Sequence, residues 1–266
     1  MPGDIRFAVL GGVRRVWAIG AIHGEVGRIC ALHQALTTRF EDGDRLVYLG
    51  NFLGYGADVV STQDELLRQR TAILARPGME PEGIAYLRGA QEEMWGKLLQ
   101  LQFALEPSEV LEWMLAQGVE ATLKSYGQSA QDGRAACREG ALSIAKWTTR
   151  VRNAVHAHPG HEQLMSVLHR AAYTADGQLL FVAAGIDPRR PLGEQGDTLW
   201  WGSGYFSEID KPYAGYRRIV RGIDRNPGGV NTESYAATLD GGCGRGGTLA
   251  AACFTLDGTT ADWIEV

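Results

Sequence analysis

The sequence predicts an α/β fold, and three observations carry that expectation. Early in the chain, a strand-like run at residues 15–19 gives way to Val26, Ile29, Leu32, Leu36 and Phe40, spaced three to four residues apart. A second strand-like run then follows at residues 45–49. Strand, helix, strand in that order is a βαβ unit. Next, three successive strand candidates end in glycine-bearing loops, at residues 20–24, 50–56 and 88–92. The carboxyl ends of strands are where open α/β sheets collect ligands and catalytic groups. Finally, a helical stretch over about residues 93–170 is followed by a β-rich last third.

Residues 5–10 and 15–19 are apolar and separated by Gly11 and Gly12, which fits a hairpin or two successive strands. The amphipathic helix from Glu25 is broken by Asp42, Gly43 and Asp44. Residues 58–75 read as a second helix ended by Pro77 and Gly78, and residues 83–87 as a short strand. Pro107, Ser108 and Glu109 mark a helix start before Val110, Leu111, Met114 and Leu115. Residues 118–133 are polar and poorly periodic. Ile144, Trp147, Val151 and Val155 mark a longer helix, and Leu164, Val167 and Leu168 another. Strands are expected again at residues 179–182, 218–220, 235–239, 248–255 and 261–264.

The chain has 266 residues, 45% hydrophobic and 21% charged, which suits a single domain, residues 1–266, carrying a helical insertion at about 93–170. A formal net charge of −5 gives no footprint for nucleic acid or an anionic membrane. Four scattered cysteines, none in a CxxC pair, point to a reducing compartment. No apolar run approaches the roughly 20 residues of a membrane span, and the start lacks the form of a signal peptide. The expected location is the cytoplasm.

The order of the glycine loops carries a resemblance. The blocks are Gly20-Ala-Ile-His-Gly24, Gly50-Asn-Phe-Leu-Gly-Tyr-Gly56, Arg88-Gly-Ala-Gln-Glu92, Val182-Ala-Ala-Gly185 and Arg221-Gly-Ile-Asp224. Leu199-Trp200-Trp201 and the glycine-rich segment at residues 239–247 follow the same order. This set resembles the calcineurin-like metallophosphoesterases, specifically the phosphoprotein phosphatase branch with its bacterial serine/threonine phosphatase and bis(5'-nucleosyl)-tetraphosphatase relatives. The blocks of that family read GDIHG, GDYVDRG, RGNHE, VHAG and GH. The resemblance spans nearly the whole chain and implies a two-sheet α/β sandwich flanked by helices, with the site loops at one edge.

The same resemblance implies a degenerate site. The family reaction uses two divalent metals that activate water and neutralise phosphoryl oxygens. Carried over residue by residue, the first-metal aspartate falls on Ala21, and His23 is the only retained ligand. The bridging aspartate falls on Asn51, the ligand asparagine on Ala90, and the two late histidines on Ala183 and Ile223. The general-acid histidine falls on Gln91, its aspartate partner on Gly54, and the phosphate-clamping arginine on Tyr55. No metal cofactor is expected; the alternative is a divalent metal such as Mn, Fe or Zn. Arg88, Arg221 and Arg245 are candidate contacts for an anion or partner.

Three functions follow from these residues. The first is a catalytically inactive pseudophosphatase acting as a binding or regulatory module for a phosphoprotein, a kinase or an active phosphatase. The second is an active metal-dependent phosphoprotein phosphatase or dinucleoside polyphosphate hydrolase with an atypical site. The third is a structural subunit that assembles through the helical insertion. Lesser candidates read as structure: His156, His158, His161 and His169 as a solvated helix end and turn, residues 241–247 as a tight turn, and Cys243 as a plain buried thiol. The aromatics Trp200, Trp201, Tyr205, Phe206, Tyr213 and Tyr216 are too many for the core and suggest an interaction surface.

Overall fold

The computed structural model describes residues 7–224, 229–232 and 235–266. In chain order the elements are β1 (Phe7–Leu10), β2 (Arg15–Ile19), α1 (Val26–Thr37), β3 (Asp44–Tyr48), α2 (Val59–Leu74) and β4 (Ile84–Tyr86). Helices α3 (Ala90–Leu98), α4 (Pro107–Met114), α5 (Glu120–Ser125), α6 (Ala130–Glu139), α7 (Ala141–His156) and α8 (His161–Ser166) follow. Then come β5 (Ala171–Thr174), β6 (Leu179–Val182), α9 (Thr198–Trp201), β7 (Arg218–Arg221), β8 (Ala236–Thr238), β9 (Ala250–Thr255) and β10 (Thr260–Glu265).

The strands form two sheets, ordered β10-β9-β2-β3-β4 and β1-β5-β6-β7-β8. In the first, β2, β3 and β4 run parallel and β9 and β10 are antiparallel additions. In the second, β1 is parallel to β5, β6 is antiparallel to β5, and β7 and β8 continue parallel to β6. Alternation along each strand makes a layered core, because successive side chains leave opposite faces. Val16, Ala18 and Val47 meet Leu179, Phe181, Val220 and Phe254 between the sheets. Trp17, Ile19, Leu46 and Tyr48 face outward and are covered by Ile29, Leu32 and Leu36 of α1 and Leu66 and Ile73 of α2. Each fully buried aliphatic side chain contributes on the order of 1.5–3 kcal/mol. The fold is thus the two-sheet sandwich flanked by helices.

The helical ends follow their local chemistry. Asp58 caps α2 by accepting from Ser61 N, Pro107 opens α4, and Ser129 caps α6 by accepting from Gln131 N. Helices α3 to α7 share their own core of Trp95, Leu98, Leu111, Leu123, Trp147 and Val151.

Several expectations need correction. Of the two arrangements expected around Gly11 and Gly12, two successive strands is the one formed and the hairpin is not, because β1 and β2 belong to different sheets; residues 5 and 6 of that expected strand lie outside the described residues. Most of the aperiodic stretch at 118–133 is helical, in α5 and the start of α6, because tertiary packing outweighs its weak local pattern. Residues 171–174 form β5, a strand the sequence did not announce, and it supplies the partner for β1. The aromatic group is chiefly core. Trp200, Phe206 and Tyr213 are buried against the outer face of the second sheet, with Trp201 and Tyr216 packed beside them. Tyr205 is the more exposed ring, with Arg189 lying over it.

Candidate functional site

The loops that follow β2, β3, β4, β6 and β7 meet at one edge of the sandwich, held together by backbone hydrogen bonds. Ile22 N and His23 N both donate to Asn51 O (3.0 and 2.8 Å), and Gly24 N donates to Phe52 O (2.8 Å). Ala21 N donates to Gly222 O, and Gly222 N and Ile223 N donate to Ala183 O. The first bonds tie the β2 loop to the β3 loop, the Ala21–Gly222 bond ties the two sheets, and the bonds to Ala183 O join the β6 and β7 loops within the second sheet. His23, Asn51 and Tyr55 hold left-handed backbone, with φ of 54°, 56° and 51°. Such conformations cost non-glycine residues energy and persist where surrounding contacts impose them.

One such contact comes from Glu92, to which the sequence reading gave no role. Its buried carboxylate accepts from Asn51 N, Phe52 N, Leu53 N and Gly89 N at 2.8–3.2 Å. Burial raises this carboxyl's pKa, and the backbone donors pull against that shift. A local signal existed: Glu92 is the third residue of α3 after a glycine N-cap, a position from which a glutamate reaches back to the cap N–H. Its reach to the β3 loop, some forty residues earlier, has no sequence signature.

A cavity of about 460 Å³ opens where these loops meet. His23, Asn51, Tyr55, Ala90, Gln91, Ile223 and Arg245 line it, so the structure gathers much of the expected set. Ala21, Gly54 and Ala183 are buried behind it and are not among its lining residues. Gln91 occupies the space over Gly54: a Cβ there would meet Gln91 Oε1 at 2.2 Å. Phe52 lies in the core, edge-on to Tyr86. The sequence missed Met94, Trp113 and Gln117, which the helical segment contributes to the wall.

The polar groups are wired as follows. His23 Nδ1–H donates to Leu53 O (3.1 Å). Burial lowers the His23 pKa to about 4, helped by Arg245 and opposed by the Leu53 bond, so the ring is neutral at pH 7. Asn51 Oδ1 accepts from Gln91 N (3.1 Å), and Gln91 Nε2 donates to Gln117 O (2.7 Å). The three candidate anion contacts are all ion-paired. Arg88 pairs with Glu93 and stands outside the cavity. Arg221 is buried, pairs with Asp224 and lies over the Phe206 ring. Arg245 donates from one nitrogen, Nη2, to both carboxylate oxygens of the buried Asp240 (2.9 and 2.7 Å).

Cys243 is a buried thiol whose S–H donates to Ile22 O (3.2 Å), and burial pushes its pKa up to about 12. In the glycine-rich turn, Arg245 N and Gly247 N donate to Gly242 O, and Gly242 N donates to Asp240. Of the histidine group, His161 is fully buried rather than solvated, between Tyr126 and Asp64. Among the described residues no group of three or more His, Cys, Asp or Glu side chains is placed to hold a metal ion. Nor is any described helix long and apolar enough to cross a membrane.

No family model matches the sequence, and no curated protein matches it. Solved structures do match. A provisionally assigned diadenosine tetraphosphatase superposes with a TM-score of 0.57 at 20% identity, covering 98% of this chain and 97% of that one. A cold-active protein-tyrosine phosphatase from a psychrophilic Shewanella superposes with a TM-score of 0.55 at 13% identity, covering 98% of this chain and 84% of that one. With the paired sheets and the loops gathered at their edge, these likenesses show that the chain shares the fold of these phosphatases.

Proposed function

We propose that this chain is a pseudophosphatase, a phosphatase scaffold used as a binding or regulatory module. The observation that carries this reading is the donor set of the cavity. Two adjacent dications need several carboxylate and imidazole ligands to hold them and offset their charge. Among the described residues, the cavity brings one neutral imidazole, His23, and the amides of Asn51, Gln91 and Gln117, beside Ala90, Ala184 and Ile223, which carry no side-chain donor. Asn51 Oδ1 is already engaged with Gln91 N, and Asp224 is paired with Arg221. That set does not fit a binuclear metal centre. Gln91 has no titratable proton to give a leaving group, and Tyr55 carries no cation to clamp a phosphate. The backbone that would present the ligands is still built, and this favours retention for binding. A phosphoprotein, a kinase or an active phosphatase is the partner class this reading proposes.

The test is elemental analysis of the purified chain together with hydrolysis of an aryl phosphate in the presence of Mn, Fe or Zn. No stoichiometric metal and no turnover above buffer is the expected result. Two bound metal equivalents with turnover that a chelator abolishes would sink the reading.

A further inference from the structure

Helix α3 is a wall between two cavities. Its Ala90, Gln91 and Met94 border the one described above. Trp95, Gly96 and the C-terminal Leu99 border a second, of about 430 Å³, whose other walls come from α7 and α8. That volume lies within the range of small-molecule sites. Trp95, Leu99, Val155, Met165 and Leu168 give it an apolar surface. Leu99, Met165 and Leu168 are only partly buried, so that surface can be reached from solvent. Glu92 also borders it, but both its carboxylate oxygens are taken up by backbone N–H groups. The two cavities share no lining residue, so a ligand here is independent of the pseudophosphatase reading.

Gly96 adds a second observation. It lies inside α3 with ordinary helical backbone, and a Cβ built on it meets no atom within 4 Å. Neither a close approach nor a positive φ therefore calls for glycine. A glycine inside a helix still costs about 1 kcal/mol relative to alanine. The helix bears that cost at a residue bordering the cavity, where a larger side chain would take up its space. The charges around the cavity are unevenly matched. Arg88 and Lys97 share one carboxylate, Glu93 (3.3 and 3.8 Å), and Glu162 is engaged by His156 (2.9 Å). Arg152 is exposed and donates from Nη2 to Leu99 O at the end of α3. Among the described residues no carboxylate pairs with it, and its remaining N–H groups have no partner. One guanidinium is thus held beside an apolar cavity with its charge uncompensated.

We propose that the cavity between α3, α7 and α8 binds an amphiphilic monocarboxylate, with its apolar tail against Trp95, Leu99, Val155, Met165 and Leu168 and its carboxylate on Arg152. Guanidinium and carboxylate match in shape and charge, and such charge-assisted hydrogen bonds are among the stronger ones. A single uncompensated cation, with Glu93 and Glu162 close by, suits one negative charge and disfavours a dianion. The space left open at Gly96 is filled by the tail, whose burial supplies the rest of the affinity.

Isothermal titration of the full chain with octanoate, and with octylammonium as the cation of matching tail, tests this. Octanoate is expected to bind at a single site with a Kd below about 1 mM, and octylammonium at least about tenfold more weakly. Two variants divide the site into its halves. Arg152→Gln removes the charge from an exposed side chain and is expected to weaken octanoate binding by about tenfold. Gly96→Leu puts a side chain into the open space on a residue that favours helix, so the fold is kept while octanoate binding is lost. Circular dichroism checks that both variants are folded. Wild-type protein that takes up no octanoate at about 10 mM overturns the proposal. So does octylammonium binding as tightly as octanoate, or either variant keeping the wild-type affinity.

Discussion

His23 and His33 are both buried to within about 1% of full enclosure, yet their surroundings differ in kind. His33, on α1, is satisfied at both nitrogens. Tyr48 OH donates to its Nε2 (2.9 Å), and its Nδ1 meets Glu65 (2.5 Å), which Arg68 grips in turn. His161 repeats the pattern between Tyr126 and Asp64. His23 has one hydrogen-bond partner, Leu53 O, and its second nitrogen, also buried, has none among the described residues. A histidine that only supports packing is enclosed by partners, because an orphaned polar atom in the interior destabilises the fold. At His23 the fold tolerates that cost, on a left-handed residue that lines the cavity. The contrast separates a structural polar cluster from a site.

The contrast can be broken by substitution, starting with the largest expected effect. Glu92→Gln replaces an acceptor oxygen by an amide N–H facing backbone donors, and about 4 kcal/mol of stability is expected to go. Urea unfolding measures it; a loss under about 1 kcal/mol would mean that the β3 loop is held by something else. His33→Leu strands Tyr48 OH and one face of Glu65, for an expected loss of about 3 kcal/mol. His23→Asn, which keeps a donor near Leu53 O and suits left-handed backbone, is expected to cost under about 1 kcal/mol. Equal losses at the two histidines would erase the distinction.

The pH dependence sharpens it further. The His23 ring is held near pKa 4 in the fold and returns to about 6.5 when unfolded. Between those values the unfolded chain binds the extra proton, so stability is full above about pH 6.5 and declines as the pH falls toward 4. Wild type is expected to lose about 2 kcal/mol more than His23→Asn between about pH 7 and pH 5. Taking the difference removes the parallel contributions of His33 and His161, whose pKa values burial also lowers. Identical pH profiles would show that His23 is not the desolvated ring described. The smallest effect belongs to the surface: Arg88→Ala, breaking the 3.3 Å pair with Glu93 outside the cavity, is expected to change stability by no more than about 0.5 kcal/mol.

Much of the scaffold was legible because its signals are local. Short apolar runs placed β2, β3 and β6, helical spacing placed α1 and α7, and glycines marked the loops at residues 20–24, 50–56 and 88–92. The candidate positions His23, Asn51, Tyr55, Ala90, Gln91 and Ile223 follow those glycines and do reach one cavity. The partners of the arginines were not legible. Arg221 and Arg245 looked available in sequence, but the carboxylates that hold them, Asp224 and Asp240, revealed their pairing only in three dimensions. The aromatics near residue 200 read as surplus because nothing local shows the outer face of the second sheet that they cover.

What the sequence determined by itself was the order of strands, the positions of the glycine-ended loops and the residue types those loops carry, since each depends on neighbours a few positions away. The tertiary structure decided the rest. It put β1 in a different sheet from β2, brought Glu92 back under the β3 loop, and carried Trp113 and Gln117 from the helical segment into the cavity wall. It also decided which buried polar atoms found partners and which did not. Hydrogen-bond satisfaction depends on groups tens of residues apart meeting at bonding distance, and no local pattern in a chain encodes that meeting.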